Sequence, residues 1–462
     1  MARGGRGTPS PALDSVDVRI ARATSENIAL SAVAGATAVV LGAISIERRS
    51  LWLDEAFDIG WSHLSWSDYI RVAFEREGSQ ALYLLLLKPW LALTSTDEWV
   101  ARAPSVLAAG LAAALVVPLG IRLFGSRLVG IGAGLLLATN AFSVTWSQQA
   151  RQYALAMLFA VVVTYLFVVA VESDGWSWWL AYGVVAGLSV YSHFFVALVL
   201  ASHVPALLVT RRGGVQRRWA VAATIAFVIA LPALNFVLNH DAGQVSWIPE
   251  LDYDYVADIV YQLSGASRLA LAVGAAGLLA LCSDGVRIPS QSWRQVLVGS
   301  WLLVPLGLAL VISYFKPMLV DRYLIVCIPA LALAMSYAVS RLGRWAGSAA
   351  LICLLFVAMS HVRDWYGSLI AEDWRGAVQY VEREKAPTHQ LLVYPGFLAA
   401  PVDYYATGPI DTGETFTTDP AWIITVADRA PEIEEWVTRS GYEIADRANF
   451  INVDVWRVEK VD

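Results

Sequence analysis

The chain has 462 residues, 57% of them hydrophobic and only 16% charged, and its mean hydropathy is +0.55. Soluble domains carry roughly a quarter charged residues, so this composition excludes an ordinary soluble protein. The net charge of −6 is mild and Arg far outnumbers Lys, a bias that reads as genome composition rather than as a surface for nucleic acid.

The apolar residues come in blocks, and a helix of about 20 of them crosses the hydrocarbon core. An all-α polytopic membrane protein with about 11 transmembrane helices is therefore expected. Residues 1–26 are polar, Gly- and Arg-bearing, and read as a cytoplasmic N-terminal tail rather than a signal peptide. A transmembrane domain follows over 27–361, with spans predicted near 27–47, 99–121, 128–146, 152–172, 178–194, 195–210, 219–238, 267–282, 295–314, 323–341 and 345–361. The fifth and sixth run together through "YSHFFVALVLASH" without a clear turn. In the first loop, 48–98, the stretch "QALYLLLLKPWLALT" is apolar but short and interrupted by Pro89, which predicts a partly embedded helix. Cys282, Cys327 and Cys353 fall inside apolar blocks and read as small buried hydrophobes, not as a disulfide or zinc framework.

Basic residues set the orientation. Arg122 and Arg127, then Arg211, Arg212, Arg217 and Arg218, then Arg287 and Arg294, and Arg341 with Arg344 fall in alternate loops, which become cytoplasmic. The extracytoplasmic side then holds 48–98, 239–266, 315–322 and everything after 361, with Arg48 and Arg49 running against the rule. Residues 362–462 return to soluble composition and predict a small extracytoplasmic α/β domain. Within it "EDWRGAVQYVERE" has helical spacing with Trp374, Val378 and Val381 on one face, while "HQLLVY", "AWIITV" and "NVDVWRV" read as strands.

The first loop opens with "RRSLWLDEAFDIGW", where Asp54 and Glu55 stand among Trp52, Phe57 and Trp61. Interfacial polarity is one reading. The other is a partly shielded carboxylate, whose pKa rises and which becomes a usable general base. Asp58 would share a face with Asp54 on a helix. Three further groups are predicted at the same membrane face: Gln148, Arg151 and Gln152 in "TWSQQARQYALAM", Lys316, Asp321, Arg322 and Tyr323 in "FKPMLVDRYLI", and His193 in "VYSHFF". Arg151 could simply snorkel to water, but its forked guanidinium also suits a phosphate. An acid that activates a nucleophile, with cations on a phosphate leaving group, is a workable pair for group transfer from a lipid carrier. His203 and His240 read as structural, and no cluster of acids and His demands a metal.

The ordered set "SLWLDEAF", "LYLLLLKPW", "RAPSVLAAGLAAALVVPLGIRLFG", "SQQARQYAL", "YSHFF", "DRYLIVCIPALAL" and "EDWRGAVQYVEREKAPTHQLLVY" resembles the bacterial members of glycosyltransferase family 39. These are C-type membrane glycosyltransferases related to dolichyl-phosphate-mannose–protein mannosyltransferases and to the lipid A aminoarabinose transferase. The resemblance implies a sugar, mannose by preference, moved with inversion from a polyprenyl-phosphate donor to an extracytoplasmic hydroxyl on a glycan, glycolipid or protein. It implies Asp54 as general base with Glu55 shaping the site. It also implies Arg151, Tyr153, Arg322 and Tyr323 at the donor phosphate, with Lys316 and His193 beside them and no metal or other cofactor. Many relatives have His-Pro-Pro or Asn-Pro-Pro before the Leu-Tyr of the short helix, where this chain has Ser79, Gln80 and Ala81.

Two other classes fit parts of the pattern. A transporter or flippase of lipid-linked sugars would use intramembrane charge, yet the charges here are predicted at span ends and no internal repeat is visible. An inactive assembly factor would accommodate the altered "GSQALY" run, while Asp54 and Arg151 argue for activity.

Overall fold

The computed structural model describes residues 11–173, 175–210, 214–239, 247–287, 292–368 and 372–461, with side chains from Thr24 onward except at Val286 and Arg287. Arg211, Arg212 and His240 lie outside the described residues. The chain forms two compact units, one comprising residues 1–42, 106–146 and 153–362 and the other 43–105, 147–152 and 363–462.

The first unit is helical. Among the described residues of the whole chain, eight helices are long and apolar enough to cross a membrane, or nine when the bent pair Arg127–Ala138 and Ala141–Ser147 is taken as one span. That pair was expected as the single span 128–146. It bends by 56° where Asn140 accepts the Ser143 amide at 2.9 Å, starting a second helix as an N-cap would. The expected spans 178–194 and 195–210 are the helices Trp176–Ser189 and Val196–Val209, of 14 residues each. Between them the chain turns through Tyr191–Phe195.

Small residues let these helices approach. A Cβ on Gly277 would lie 2.2 Å from the Ala334 carbonyl oxygen, so Arg268–Arg287 and Ile328–Ser340 pack backbone to backbone. Glu172 receives both Arg122 at 2.6 Å and Arg294 at 2.8 Å, and Asp284 receives Arg341 at 2.7 Å. Three of the basic residues used to orient the chain are thus neutralised by acids at the helix ends. Cys327 is buried as expected, whereas Cys282 and Cys353 are exposed on candidate spans, where a bilayer rather than protein would cover them.

The second unit contains a four-stranded sheet in the order β1-β2-β4-β3, formed by β1 (Leu391–Val393), β2 (Ala421–Val426), β3 (Tyr442–Phe450) and β4 (Val453–Lys460). β1 runs parallel to β2, and the other pairings are antiparallel. The period of two sorts the side chains. Trp422, Ile424, Val453 and Val455 face the helix Trp374–Glu384, while Ile423, Trp456 and Val458 face the helix Ala430–Arg439. The predicted helix and three strands correspond to Trp374–Glu384, β1, β2 and β4. β3 is an addition, since "YEIADRANF" is polar and largely exposed. It joins β4 through a tight turn at Asn452, φ 55°, a conformation Asn tolerates.

The rest of this unit is residues 147–152 and the loop after the first helix, Pro11–Ala43, as far as Ser105. The helix Leu53–Trp61 is followed by Trp66–Arg71, a π-helical turn Val72–Arg76, a short 3-10 turn Gly78–Gln80 and the helix Ala81–Leu93. The last of these is the expected short helix around Pro89. It has 13 residues, too few to span a bilayer.

Candidate active site

The helix Leu53–Trp61 sets the geometry of the acidic residues. Its first turn carries Asp54 and Glu55, where carboxylates oppose the positive end of the helix dipole. Its far end is held by Lys88, whose ammonium donates to the Ser62 and Leu64 carbonyls at 2.6 Å each.

Glu55 is sealed. Its two oxygens accept Arg102 Nε and Nη2 at 2.8 and 2.7 Å, the Ala150 amide at 2.6 Å and the Trp52 amide at 3.4 Å. Arg102 spends its remaining donors on the Ile46, Arg49 and Ser50 carbonyls. Glu55 is 0% and Arg102 2% exposed. This pair is saturated and holds the helix start in place.

Asp54 and Asp58 share one face, as their spacing implied, and Arg151 bridges them. Its Nη1 lies 2.8 Å from Asp58 Oδ2 and its Nη2 3.4 Å from Asp54 Oδ2, and Nη1 also approaches the Asp54 carbonyl at 3.4 Å. Asp58 is fully buried and also accepts Gln80 Nε2 at 3.1 Å. Burial pushes its carboxyl up to about 8, with Arg151 pulling the other way. The Asp54 side chain retains 36% exposure. It is the open acid of the helix.

Glu77 completes the cluster. Gln80 Nε2 donates to it at 3.0 Å, so one buried amide ties Glu77 to Asp58. Burial raises the Glu77 carboxyl, and the charge of Asp54 adds to the shift while Arg151 opposes it. Glu372, ahead of the helix Trp374–Glu384, is also raised, first by burial and further by Asp54. Three carboxylates, Asp54, Asp58 and Glu77, thus act on one guanidinium, and burial favours the protonated form of Asp58 and Glu77. Among the described residues no group of three or more His, Cys, Asp or Glu is arranged to hold a metal.

The helical unit gathers a second cluster. Arg322 Nε donates to the Tyr153 hydroxyl at 3.0 Å, and its guanidinium carbon lies 5.0 Å from the Trp247 ring, 5.5 Å from Trp146 and 5.7 Å from Tyr323. His193 is buried, 4.7 Å from the Tyr323 ring. Its Nδ1 accepts the Phe195 amide at 3.1 Å, which leaves the ring proton to Nε2 in the neutral form. Lys316 follows the helix Ser292–Phe315 and is half-buried. Its ammonium makes no ion pair among the described residues.

Asp54, Glu55 and Arg151 therefore come together in one unit, and Tyr153, His193, Arg322 and Tyr323 in the other. Sequence reasoning missed Glu77, Gln80, Arg102 and Glu372. Gln80 had been singled out only as a departure from a family pattern, and it proves to be the 0% exposed link between two acids. The π-helical turn just before Glu77 is the sort of irregularity that accompanies functional sites, but it has no signature in the letters.

Residues 81–236 match the model of the family described as dolichyl-phosphate-mannose-protein mannosyltransferase. No curated protein matches the sequence. The apo structure of ArnT from Cupriavidus metallidurans matches with a TM-score of 0.62 and 16% identity, over 94% of this chain and 98% of that one. The same protein bound to undecaprenyl phosphate matches at 0.60 and 15%, over 92% and 97%. The Archaeoglobus fulgidus oligosaccharyltransferase tethered to an acceptor peptide with the NVT sequon matches at 0.52 and 12%, over 82% and 63%. The fold is that of the C-type membrane glycosyltransferases, in a chain whose residues 81–236 carry the pattern of the dolichyl-phosphate-mannose-protein mannosyltransferase family.

Proposed function

We propose that this protein is a membrane glycosyltransferase that takes a sugar, mannose by preference, from a polyprenyl-phosphate donor. The acceptor is a hydroxyl of a glycan, glycolipid or protein on the extracytoplasmic side, and no metal takes part. The observation that carries the reading is the state of the three acids on the helix Leu53–Trp61. Glu55 is sealed in its ion pair with Arg102 and Asp58 is buried against Arg151 and Gln80, whereas Asp54 stays open beside Arg151. The family pattern over residues 81–236 and a shared fold with a protein crystallised on undecaprenyl phosphate support the donor class.

In this mechanism the acceptor hydroxyl gives its proton to the Asp54 carboxylate while its oxygen attacks the anomeric carbon. The bond from that carbon to the phosphate oxygen breaks, and polyprenyl phosphate leaves from the opposite face, so the configuration inverts. Glu55 and Arg102 hold the start of the helix, and Arg151, expected at the donor phosphate, is assigned instead to orienting Asp54, which it bridges to Asp58. In the helical unit we assign Arg322, with Tyr153, Tyr323 and His193, to the phosphate. The Arg322 bond to Tyr153 sets the plane of its guanidinium, a geometry suited to a phosphate.

The test is transfer from a panel of radiolabelled polyprenyl-phosphate sugars by the purified protein in nanodiscs, with an envelope extract as acceptor. The expected result is transfer of one sugar by the wild type and loss of at least about 10²-fold in Asp54→Asn, the upper part of a general base's contribution being ~10⁴-fold. Wild-type turnover by Asp54→Asn would remove Asp54 from the role of base.

A further inference from the structure

The segment joining the first helix to Leu53 has almost no structure of its own. Over residues 44–52 the backbone forms a short turn, with Arg48 N–H donating to the Ser45 carbonyl at 3.0 Å, and neither helix nor strand, before Trp52 accepts the Ala56 amide in the first helical turn. Its path is fixed from outside. On one side Arg102 donates to the Ile46, Arg49 and Ser50 carbonyls. On the other, Gln148 Nε2 donates to the Ile44 carbonyl at 2.7 Å, and a larger set of contacts comes from residues more than 300 positions later.

Leu51 N–H donates to the Tyr405 hydroxyl at 2.8 Å, and that hydroxyl donates in turn to Glu98. Arg375 Nη2 donates to the Glu47 carbonyl at 2.9 Å, and the same guanidinium pairs with Glu98. The Arg375 amide donates to Ser50 Oγ at 3.2 Å, and Ser50 Oγ donates to Asp373 at 3.3 Å. Leu53, the residue just before Asp54, packs onto the core that includes Trp374, Val378, Val402 and Trp422. The helix Ala399–Tyr405 lies directly against Leu53–Trp61.

We propose that the C-terminal α/β fold is the positioning element of the carboxylate helix, with Tyr405 and Arg375 as positioning residues for Asp54. Neither touches a reacting atom. Tyr405 fixes Leu51, three residues before Asp54, and Arg375 fixes the turn ahead of it. Glu98 gathers both onto the helix that also carries Arg102. The inference deepens the proposed transferase reading and rests on it for its kinetic part, but its structural part stands by itself. A loop with no ladder of its own takes the geometry of whatever binds its backbone groups, and a displacement of about 1 Å at a reacting group can cost on the order of 10²-fold in rate.

The experiment compares wild type, Tyr405→Phe, Arg375→Lys and Val437→Ala in nanodiscs by two readouts. Val437 lies in the core on the other face of the sheet, so its truncation destabilises the domain without touching the loop. Hydrogen–deuterium exchange of peptides covering 44–61 is expected to rise in Tyr405→Phe and Arg375→Lys and to stay at the wild-type level in Val437→Ala. Transfer from radiolabelled polyprenyl-phosphate mannose, or whichever sugar the wild type moves, is expected to lose about 10-fold or more in kcat for Tyr405→Phe, with the donor KM within about twofold. Unchanged exchange over 44–61 in both variants would overturn the inference whatever the reaction is. Faster exchange with wild-type kcat would overturn the positioning role while leaving the transferase intact. A wild type that transfers no sugar sinks the transferase reading, and with it the kinetic role, while the exchange data still decide whether this fold holds the loop.

Discussion

Changing Glu55 to Gln keeps the side-chain shape and removes one charge from the most enclosed ion pair in the loop unit. Glu55 oxygens face four donors, Arg102 Nε and Nη2 and the amides of Ala150 and Trp52. A glutamine offers one oxygen and one NH2, so whichever way the amide is turned at least one of these donors meets another donor. Each buried donor left unsatisfied costs about 1–3 kcal/mol, and an unpaired buried charge costs about 3–5 kcal/mol. The two terms overlap, because Arg102 is both the charge and two of the donors. A loss of about 4 kcal/mol is the expected sum. Asp54→Asn is the built-in comparison. Its side chain is 36% exposed and 3.4 Å from its cation, so its effect on stability should stay below about 1 kcal/mol. Reversible unfolding in mixed detergent micelles would measure both. If Glu55→Gln unfolds within about 1 kcal/mol of wild type, the Glu55–Arg102 pair does not hold the helix as its geometry indicates.

Two further outcomes are expected. Asp58 has its carboxyl raised to about 8 in the folded protein, against an unfolded value of about 4. Between those values the folded state binds more protons than the unfolded one, so this group makes stability fall as pH rises through that window. Asp58→Asn removes that contribution, and the wild type should therefore lose more stability than the variant between about pH 4 and pH 8. Parallel curves would mean that Arg151 keeps Asp58 ionised throughout. Lys88→Met should leave the Ser62 and Leu64 carbonyls without their charged donor and lower unfolding free energy by about 2–3 kcal/mol. No measurable loss in the same micelle titration would show that those carbonyls find other partners.

The eight long apolar helices among the described residues were legible in the letters because burial in lipid demands a continuous apolar stretch, and continuity along the chain is a one-dimensional property. The amphipathic helix at Trp374 and the strands "AWIITV" and "NVDVWRV" were legible for the same kind of reason, since periods of 3.6 and 2 are local. Asp54 and Asp58 could be placed on one face by their spacing of four. What the letters could not carry is everything that depends on meetings between distant positions. Glu55 next to Asp54 looks equivalent in sequence, and only Arg102, 47 residues on, makes it a sealed structural acid while its neighbour stays open. Gln80 looks like a defect in a motif until Asp58 and Glu77 are seen on its amide. The bend at Thr139–Asn140 passes for uninterrupted hydropathy, because a side-chain cap leaves no trace in an apolar average. Least legible of all is the grouping of residues 43–105, 147–152 and 363–462 into one unit, since a backbone without ladder bonds of its own is shaped by whichever side chains reach it, here Arg102 and Gln148 as well as residues from the far end of the chain.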